Sequence, residues 1–119
     1  MQAMNENEFN LKLEEVEKSI EKLTKEAQDC KDMKDLTEDE RFQRLIMKGL
    51  IEEESLAAAK ALRGINNKPE VDAALVTKIK AFDLLDMYIT GISSYADMAQ
   101  ANLEKEKEYR SKLVNGEVQ

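Results

Sequence analysis

Apolar residues recur along most of the chain at alternating steps of three and four, and the third such stretch is the most informative. Its first apolar line has the spacing of a helix packed along another helix. That line comprises Phe82, Leu85, Ile89, Ile92, Ala96, Ala99 and Leu103. Each helical residue advances by about 100°, so a second line lies roughly opposite. This second line comprises Leu84, Met87, Tyr88, Gly91, Tyr95 and Met98. A surface helix of a monomer needs only one apolar stripe. Two stripes therefore predict that this helix has neighbouring helices on two sides.

Two earlier stretches also have helical periodicity. The first keeps a single 4-3 seam from Phe9 to Cys30, and the second carries two apolar lines. Those two lines are Ile46, Leu50, Ala57 and Ala61, and Met47, Ile51, Ala58 and Leu62. The boundaries follow from a capping box at 37–40, Pro69 in a first turn and Asn115-Gly116 as a stop. The sequence thus predicts helices over residues 7–33, 38–63 and 69–113.

These elements predict an all-α protein with one helical domain over residues 1–119. Short connections make sequential helices antiparallel neighbours, so we expect an up-down-up three-helix bundle or coiled coil with a long third helix. Folding the third helix back on the second brings Glu54 close to Lys78. We predict that these two residues form an interhelical ion pair, because an unpaired charge between helices is costly.

The same register leaves the third helix longer than its companions. The first two helices end near the level of residue 94, so the residues beyond it lack a partner within the chain. Either a second copy covers them, or a turn at 90–94 makes a closed four-helix bundle. We favour the continuous helix and predict a self-association interface. Its residues are Leu84, Tyr88, Gly91, Tyr95, Ala96, Met98, Ala99 and Leu103.

Composition supports helices and limits the partners. Only four Gly and one Pro occur in 119 residues, which suits a helical bundle rather than a sheet with its turns. The net charge of −7 disfavours nucleic acid and anionic membrane surfaces, since both are bound through Lys and Arg. Cys30 is the lone cysteine, and neither a signal peptide nor a membrane span is evident. We therefore expect a cytoplasmic protein.

The residue types that known catalytic and metal sites require are mostly absent from the sequence. The chain has no His, one Cys and no Gly-rich phosphate loop. Asp83 and Asp86 share a polar strip of the third helix, which is more readily explained as a solvated face than as a hard-cation site. We therefore predict no cofactor, no metal and no enzymatic activity.

The run from Arg41 to Leu56, RFQRLIMKGLIEEESL, is followed by residues 79–85 and by a charged helical end. In these segments the chain resembles small uncharacterised helical bacteriophage proteins that are encoded near head and assembly genes. The resemblance spans residues 38–110 and carries no catalytic residues. It implies a role in phage assembly or in the virion, with a phage or host protein as a further partner.

Two functional hypotheses follow from these patterns. The first is a non-enzymatic helical protein that self-associates as a dimer or higher oligomer and serves as an assembly or structural factor. The second is a helical binding module that acts as an intracellular chaperone or as an acidic inhibitor of a partner protein. The first should associate in isolation, whereas the second should be monomeric until its partner is added.

Overall fold

The computed structural model describes residues 5–117, and every regular element within them is helical, which confirms the all-α prediction. The α-helices are α1 (Glu6–Glu38), α2 (Glu40–Phe42), α3 (Glu54–Leu62), α4 (Pro69–Ser94) and α5 (Ala96–Val114). A π-helical segment, Gln43–Glu53, joins α2 to α3. The chain divides into two compact units. The terminal unit comprises the described residues up to Lys31 and from Tyr95, and the central unit is Asp32–Ser94.

The boundary after the first helix lies later than the sequence predicts. α1 continues to Glu38, and the Thr37 hydroxyl donates to the Lys34 carbonyl oxygen at 2.8 Å within that helix. Asp39 is the N-cap of α2, and its carboxylate accepts the backbone N–H groups of Arg41 at 2.8 Å and Phe42 at 3.4 Å. The predicted capping box is therefore wrong. An aspartate two residues further on offers a charged acceptor to the free amides of the helix start.

The π-helical segment replaces part of the predicted second α-helix. A π-helix closes through i→i+5 bonds, so its turns are wider than those of an α-helix. Gly49 suits this geometry, because a Cβ at that position would lie 3.0 Å from the carbonyl oxygen of Arg44, five residues earlier. Apolar periodicity does not distinguish this segment from an α-helix, since Leu50 and Ile51 fit either form.

In the central unit, α3 and α4 pack together across a short turn. Pro69 occupies the first position of α4, as predicted, and the Lys68 carbonyl accepts the first backbone bonds of that helix. The Asn67 side chain ties the turn together: its Nδ2 donates to the Ala61 carbonyl oxygen at 2.6 Å and to Asp72 Oδ1 at 2.9 Å. The turn therefore joins the end of α3 to the start of α4 as antiparallel neighbours.

The core of the central unit draws more on one of the two predicted apolar lines before the turn than on the other, whose residues Ile46 and Leu50 are only half-buried. Ile51 and Ala58 are buried, and so is Ile89 on α4. Ala57 and Ala61, which belong to the other line, are exposed. Adjacent helical residues lie about 100° apart, so only one line can point fully at α4.

In the terminal unit, α5 packs against the N-terminal part of α1. Arg110 Nη2 lies 3.0 Å from Glu17 Oε1. An antiparallel register through this pair brings Ala27 and Cys30 to the level of the start of α5. Glu17 and Ile20 of α1 line one cleft together with Arg110 and Lys107 of α5, as an antiparallel register requires. The buried residues of the unit are Val16, Ala27, Cys30, Ala96, Ala99, Leu103 and Leu113.

This packing corrects the predicted overhang. Ala96, Ala99 and Leu103 were assigned to an interface with a second copy, yet all three are buried in the single chain, and Ala99 has no exposed surface. The prediction failed because it assumed that the first helix packs only at the level of the second. The structure instead brings the N-terminal part of α1 alongside α5.

The predicted continuous helix over 69–113 is interrupted at one residue. α4 ends at Ser94, and Tyr95 has φ −88° and ψ −4°, at the edge of the helical region. The Ser93 and Ser94 hydroxyls donate to the carbonyls of Thr90 and Gly91, a back-bonding pattern that competes with regular helix geometry. The alternative turn at 90–94 is also absent, because these residues are helical.

The end of α5 agrees with the sequence. Gly116 has φ +74°, the left-handed conformation that glycine adopts without a Cβ clash. The Glu117 N–H donates to the Lys112 carbonyl and the Gly116 N–H to the Leu113 carbonyl, which together form a Schellman motif. The predicted stop at Asn115-Gly116 is therefore confirmed.

Asp39→Asn tests the N-cap through its pH dependence. The Arg41 side chain, followed by the backbone N–H bonds, lowers the pKa of the Asp39 carboxyl below its ordinary value. A depressed carboxyl pKa stabilises the fold above the unfolded-state pKa of about 3.9, and this contribution is lost as pH falls through the folded pKa. We expect the stability difference between the natural chain and Asp39→Asn to disappear in strong acid, measured by urea unfolding at stepped pH.

Thr37→Val is the matched control, since it removes the hydroxyl that the sequence favours as the cap without changing charge. Its stability difference from the natural chain should not vary with pH. If the pH profiles of Asp39→Asn and the natural chain were parallel throughout, the charged cap would be disproved.

Leu103→Ala tests whether the chain covers its own α5. Truncating a buried leucine costs about 2–5 kcal/mol. We expect a loss of this size in the free energy of unfolding, with no dependence on protein concentration, because the covering residues belong to the same chain. Met98→Ala, at an exposed position of the same helix, should change the free energy by less than about 0.5 kcal/mol. A Leu103→Ala loss that changed on dilution would instead indicate cover by a second copy.

Candidate interaction surface

α4 carries apolar residues on two opposite faces, and only one of them is used in the central unit. Ile89 is buried, and Phe82 and Leu85 are half-buried beside it. The opposite side of the helix carries residues at i, i+3, i+4 and i+7, the spacing of one helical stripe. We call this stripe the α4 outer face, and its residues are Leu84, Met87, Tyr88 and Gly91.

The three side chains of the α4 outer face are largely in solvent. Leu84 is 66% exposed, Met87 69% and Tyr88 60%. Single exposed apolar residues are normal on protein surfaces, but clustered ones are typical of interaction sites. Tyrosine and methionine are also enriched in the cores of protein interfaces. The α4 outer face therefore has the composition and the clustering of a contact surface.

Gly91 lies within this face and has no structural role that the chain itself explains. A Cβ built on Gly91 meets no atom within 4 Å. A glycine inside a helix costs about 0.5–1 kcal/mol relative to alanine. Nothing packed against Gly91 in the described chain requires that cost, so the missing side chain leaves an open notch in the outer face.

The structure divides the predicted interface residues into two groups. Ala96, Ala99 and Leu103 are buried, as described above. The exposed group consists of Leu84, Tyr88 and Gly91 in the central unit, and Tyr95 and Met98 in the terminal unit. The Tyr95 hydroxyl is engaged within its own unit, where it accepts Asn102 Nδ2 at 2.9 Å.

Sequence reasoning omitted one residue of the α4 outer face from the predicted interface. Met87 is the most exposed of its three large side chains. The signal was available, because Met87 lies three residues after Leu84 in the second apolar line.

The predicted ion pair is present in the central unit. Lys78 Nζ lies 3.2 Å from Glu54 Oε2, and the same ammonium lies 5.9 Å from the centroid of the Phe82 ring. The side chains are 47% and 49% exposed, so both charges remain hydrated. The expectation that an unpaired charge would be costly at this position is therefore wrong. Exposed pairs of this kind contribute about 0.2–1 kcal/mol, and they fix register more than stability.

The other candidate chemical groups are engaged or inert. Burial, together with the charges of Glu26 and Asp29, raises the pKa of the Cys30 thiol, which opposes thiolate formation. Asp86 accepts the Thr90 hydroxyl at 3.2 Å. Among residues 5–117, no three Cys, Asp or Glu side chains are placed to hold a metal ion.

Comparisons of the chain with protein-family models, with curated proteins and with solved structures found no match. Within the described range, none of the helices has an apolar stretch long enough to cross a membrane.

A double-mutant cycle tests the energetic role of the interhelical pair. Glu54→Gln and Lys78→Met, alone and combined, should give a coupling energy below about 1 kcal/mol in the free energy of unfolding. The coupling should decrease as salt is added, because exposed charges are screened. A coupling of about 3–5 kcal/mol that resisted salt would instead indicate a buried pair.

Proposed function

We propose that the protein is a non-enzymatic helical assembly or structural factor that self-associates through the α4 outer face. The observation that carries this proposal is the exposed stripe of Leu84, Met87 and Tyr88, on a different face of α4 from the one that packs in the central unit. Burying such side chains between copies removes apolar surface from water, which is the main favourable term in protein association.

An exposed leucine elsewhere in the central unit offers a contrast to this stripe. Leu56 on α3 is 54% exposed, but its neighbours on the same side of the helix are Glu53 and Lys60. An isolated leucine among charges is an ordinary surface residue. The α4 outer face instead presents large apolar side chains at consecutive positions of one stripe, as an interacting helix requires.

The net charge of the chain should oppose self-association, so the salt dependence of association gives an independent test of the proposal. Each copy carries a net charge of −7, so two copies repel at long range. Salt screens this repulsion while leaving the apolar contact in place. An apolar self-association should thus strengthen as salt is added, whereas an association held by ion pairs would weaken.

Two further elements of the proposal concern setting and topology. The resemblance of residues 38–110 to bacteriophage proteins supports a role in phage morphogenesis or in the virion, and hence a location in host cytoplasm or in the particle. The up-down-up bundle has no support from this packing, because its first and third helices would run parallel, whereas α5 packs antiparallel to α1. The chaperone or inhibitor role is the outcome that a strictly monomeric protein would favour.

Leu84→Glu tests self-association. The natural chain should show a mass above 13.6 kDa in sedimentation equilibrium as its concentration rises through the micromolar range, and more so at high salt. Leu84→Glu should keep the single-chain mass, because it places a charge in the middle of the contact.

Leu56→Glu is the matched control, with the same charge change at a similarly exposed leucine. It should associate like the natural chain, and circular dichroism should show that both variants remain helical. The proposal fails if the natural chain has the single-chain mass at every concentration, or if both variants associate equally.

A further inference from the structure

We propose that the π-helical segment is a two-state conformational device, which covers an apolar stripe in its π form and exposes that stripe in an α form. The segment, Gln43–Glu53, lies wholly within the central unit. π-Helices are rare, occur mostly as single turns and are frequent at functional sites, whereas this one has 11 residues. The proposal does not depend on self-association, because it concerns a different helical segment from α4.

The covered side chains in and next to this segment follow a π winding. Ile51 is buried, Ile46 and Phe42 are half-buried, and Arg44 is exposed. The i→i+5 bonds of a π-helix bring Ile46 to the level of one turn below Ile51. In an α-helix, nine residues at about 100° each make two and a half turns, so Phe42 would lie opposite Ile51. The π winding therefore allows these three apolar side chains to be covered together.

An α winding would bring a different residue to the side of Ile51. Arg44 precedes Ile51 by seven residues, close to two α-helical turns, so its charge would move to the covered side. Burying an unpaired charge is costly. Phe42, Leu45 and Ile46 would then share the opposite side, at i, i+3 and i+4. Leu45 is already 59% exposed, so this side of the segment would become an apolar stripe in solvent.

One polar group at the end of the segment is better satisfied in the α form. The buried Ser55 hydroxyl has no hydrogen-bond partner among the residues that the structure describes. In an α-helix a serine hydroxyl can donate to the carbonyl oxygen four residues earlier, which here belongs to Ile51. At this junction the Ile51 carbonyl accepts the Glu54 N–H instead. Because a buried donor without an acceptor is unfavourable, Ser55 opposes the π form.

The two windings are therefore stabilised by different residues. Burial of Phe42 and Ile46, together with the solvated charge of Arg44, favours the π form. The Ser55 hydroxyl favours the α form. The π form is the one that the chain adopts alone. A binder of the Phe42 stripe would shift the balance only if it preferred the α form, because a ligand with equal affinity for both forms shifts neither.

Exchanging an apolar and a charged position tests this balance in the full chain. Phe42→Gln/Arg44→Leu keeps one apolar side chain but moves it to the side that only the α winding covers. Scalar couplings across hydrogen bonds, measured by NMR on the isotope-labelled protein, identify the carbonyl that accepts the Ile51 N–H. We expect the Ile46 carbonyl in the natural chain, as π bonding requires, and the Met47 carbonyl in the variant.

Arg44→Gln is the matched control, since it removes the same charge without supplying an apolar side chain. It should keep the Ile46 acceptor. Arg44→Leu alone retains every covered side chain of the natural protein, so it serves if the double variant does not fold, and it should populate both acceptors. Retention of only the Ile46 acceptor in Arg44→Leu would overturn the inference, as would a Met47 acceptor in the natural chain.

Ser55→Ala tests the opposing contribution. In the Arg44→Leu background, loss of the hydroxyl should raise the ratio of π to α form by about fivefold or more, because rewinding no longer gains a hydrogen bond. Ser94→Ala is the comparison variant, since that hydroxyl already donates to the Gly91 carbonyl at 3.1 Å and lies outside the segment. It should leave the ratio unchanged. An equal ratio in Ser55→Ala and Ser94→Ala would contradict the proposed balance.

Discussion

The structure depends on how a helix with two apolar faces is covered. α4 and α5 together carry more apolar surface than one neighbouring helix can bury, since the second apolar line lies roughly opposite the first. The chain covers one line with its own residues: Ile89 is buried in the central unit, and Ala99 and Leu103 in the terminal unit. The second line is exposed to solvent at Leu84 and its neighbours. The apolar side chains that the fold leaves exposed on α4 are therefore the candidate contact surface.

Local features were predictable because they depend on a few adjacent residues. Helical content followed from apolar spacing and from the scarcity of glycine and proline. Pro69 at the start of α4 and the left-handed Gly116 after α5 each reflect a backbone preference of a single residue type. The ion pair of Glu54 and Lys78 was also within reach, because a short turn fixes which levels of α3 and α4 meet. The exposed side of α4 follows from the same periodicity.

The predictions that were wrong have two causes. Similar sequence signals compete for the same structural role, and the choice of long-range helix partners is not encoded in local spacing. Thr37 and Asp39 could each cap a helix, and the aspartate is used because its carboxylate also binds the Arg41 side chain. The buried state of Leu103 could not be read from spacing. The N-terminal part of α1 and a second copy of the chain would each present the same kind of apolar seam to Leu103. The π-helical segment and the interruption at Tyr95 likewise change the number of residues per helical turn. Apolar spacing in a sequence indicates that number only approximately.

Gly91 is where the demands of folding and of association can be told apart. For the single chain, alanine would be the better residue, because it favours the helix and meets no neighbour. Leu84, Met87 and Tyr88 are similar cases, since polar side chains would keep the same helix soluble without apolar exposure. Four positions of one stripe thus depart together from what stability alone favours. The self-association proposed above would place all four in one contact.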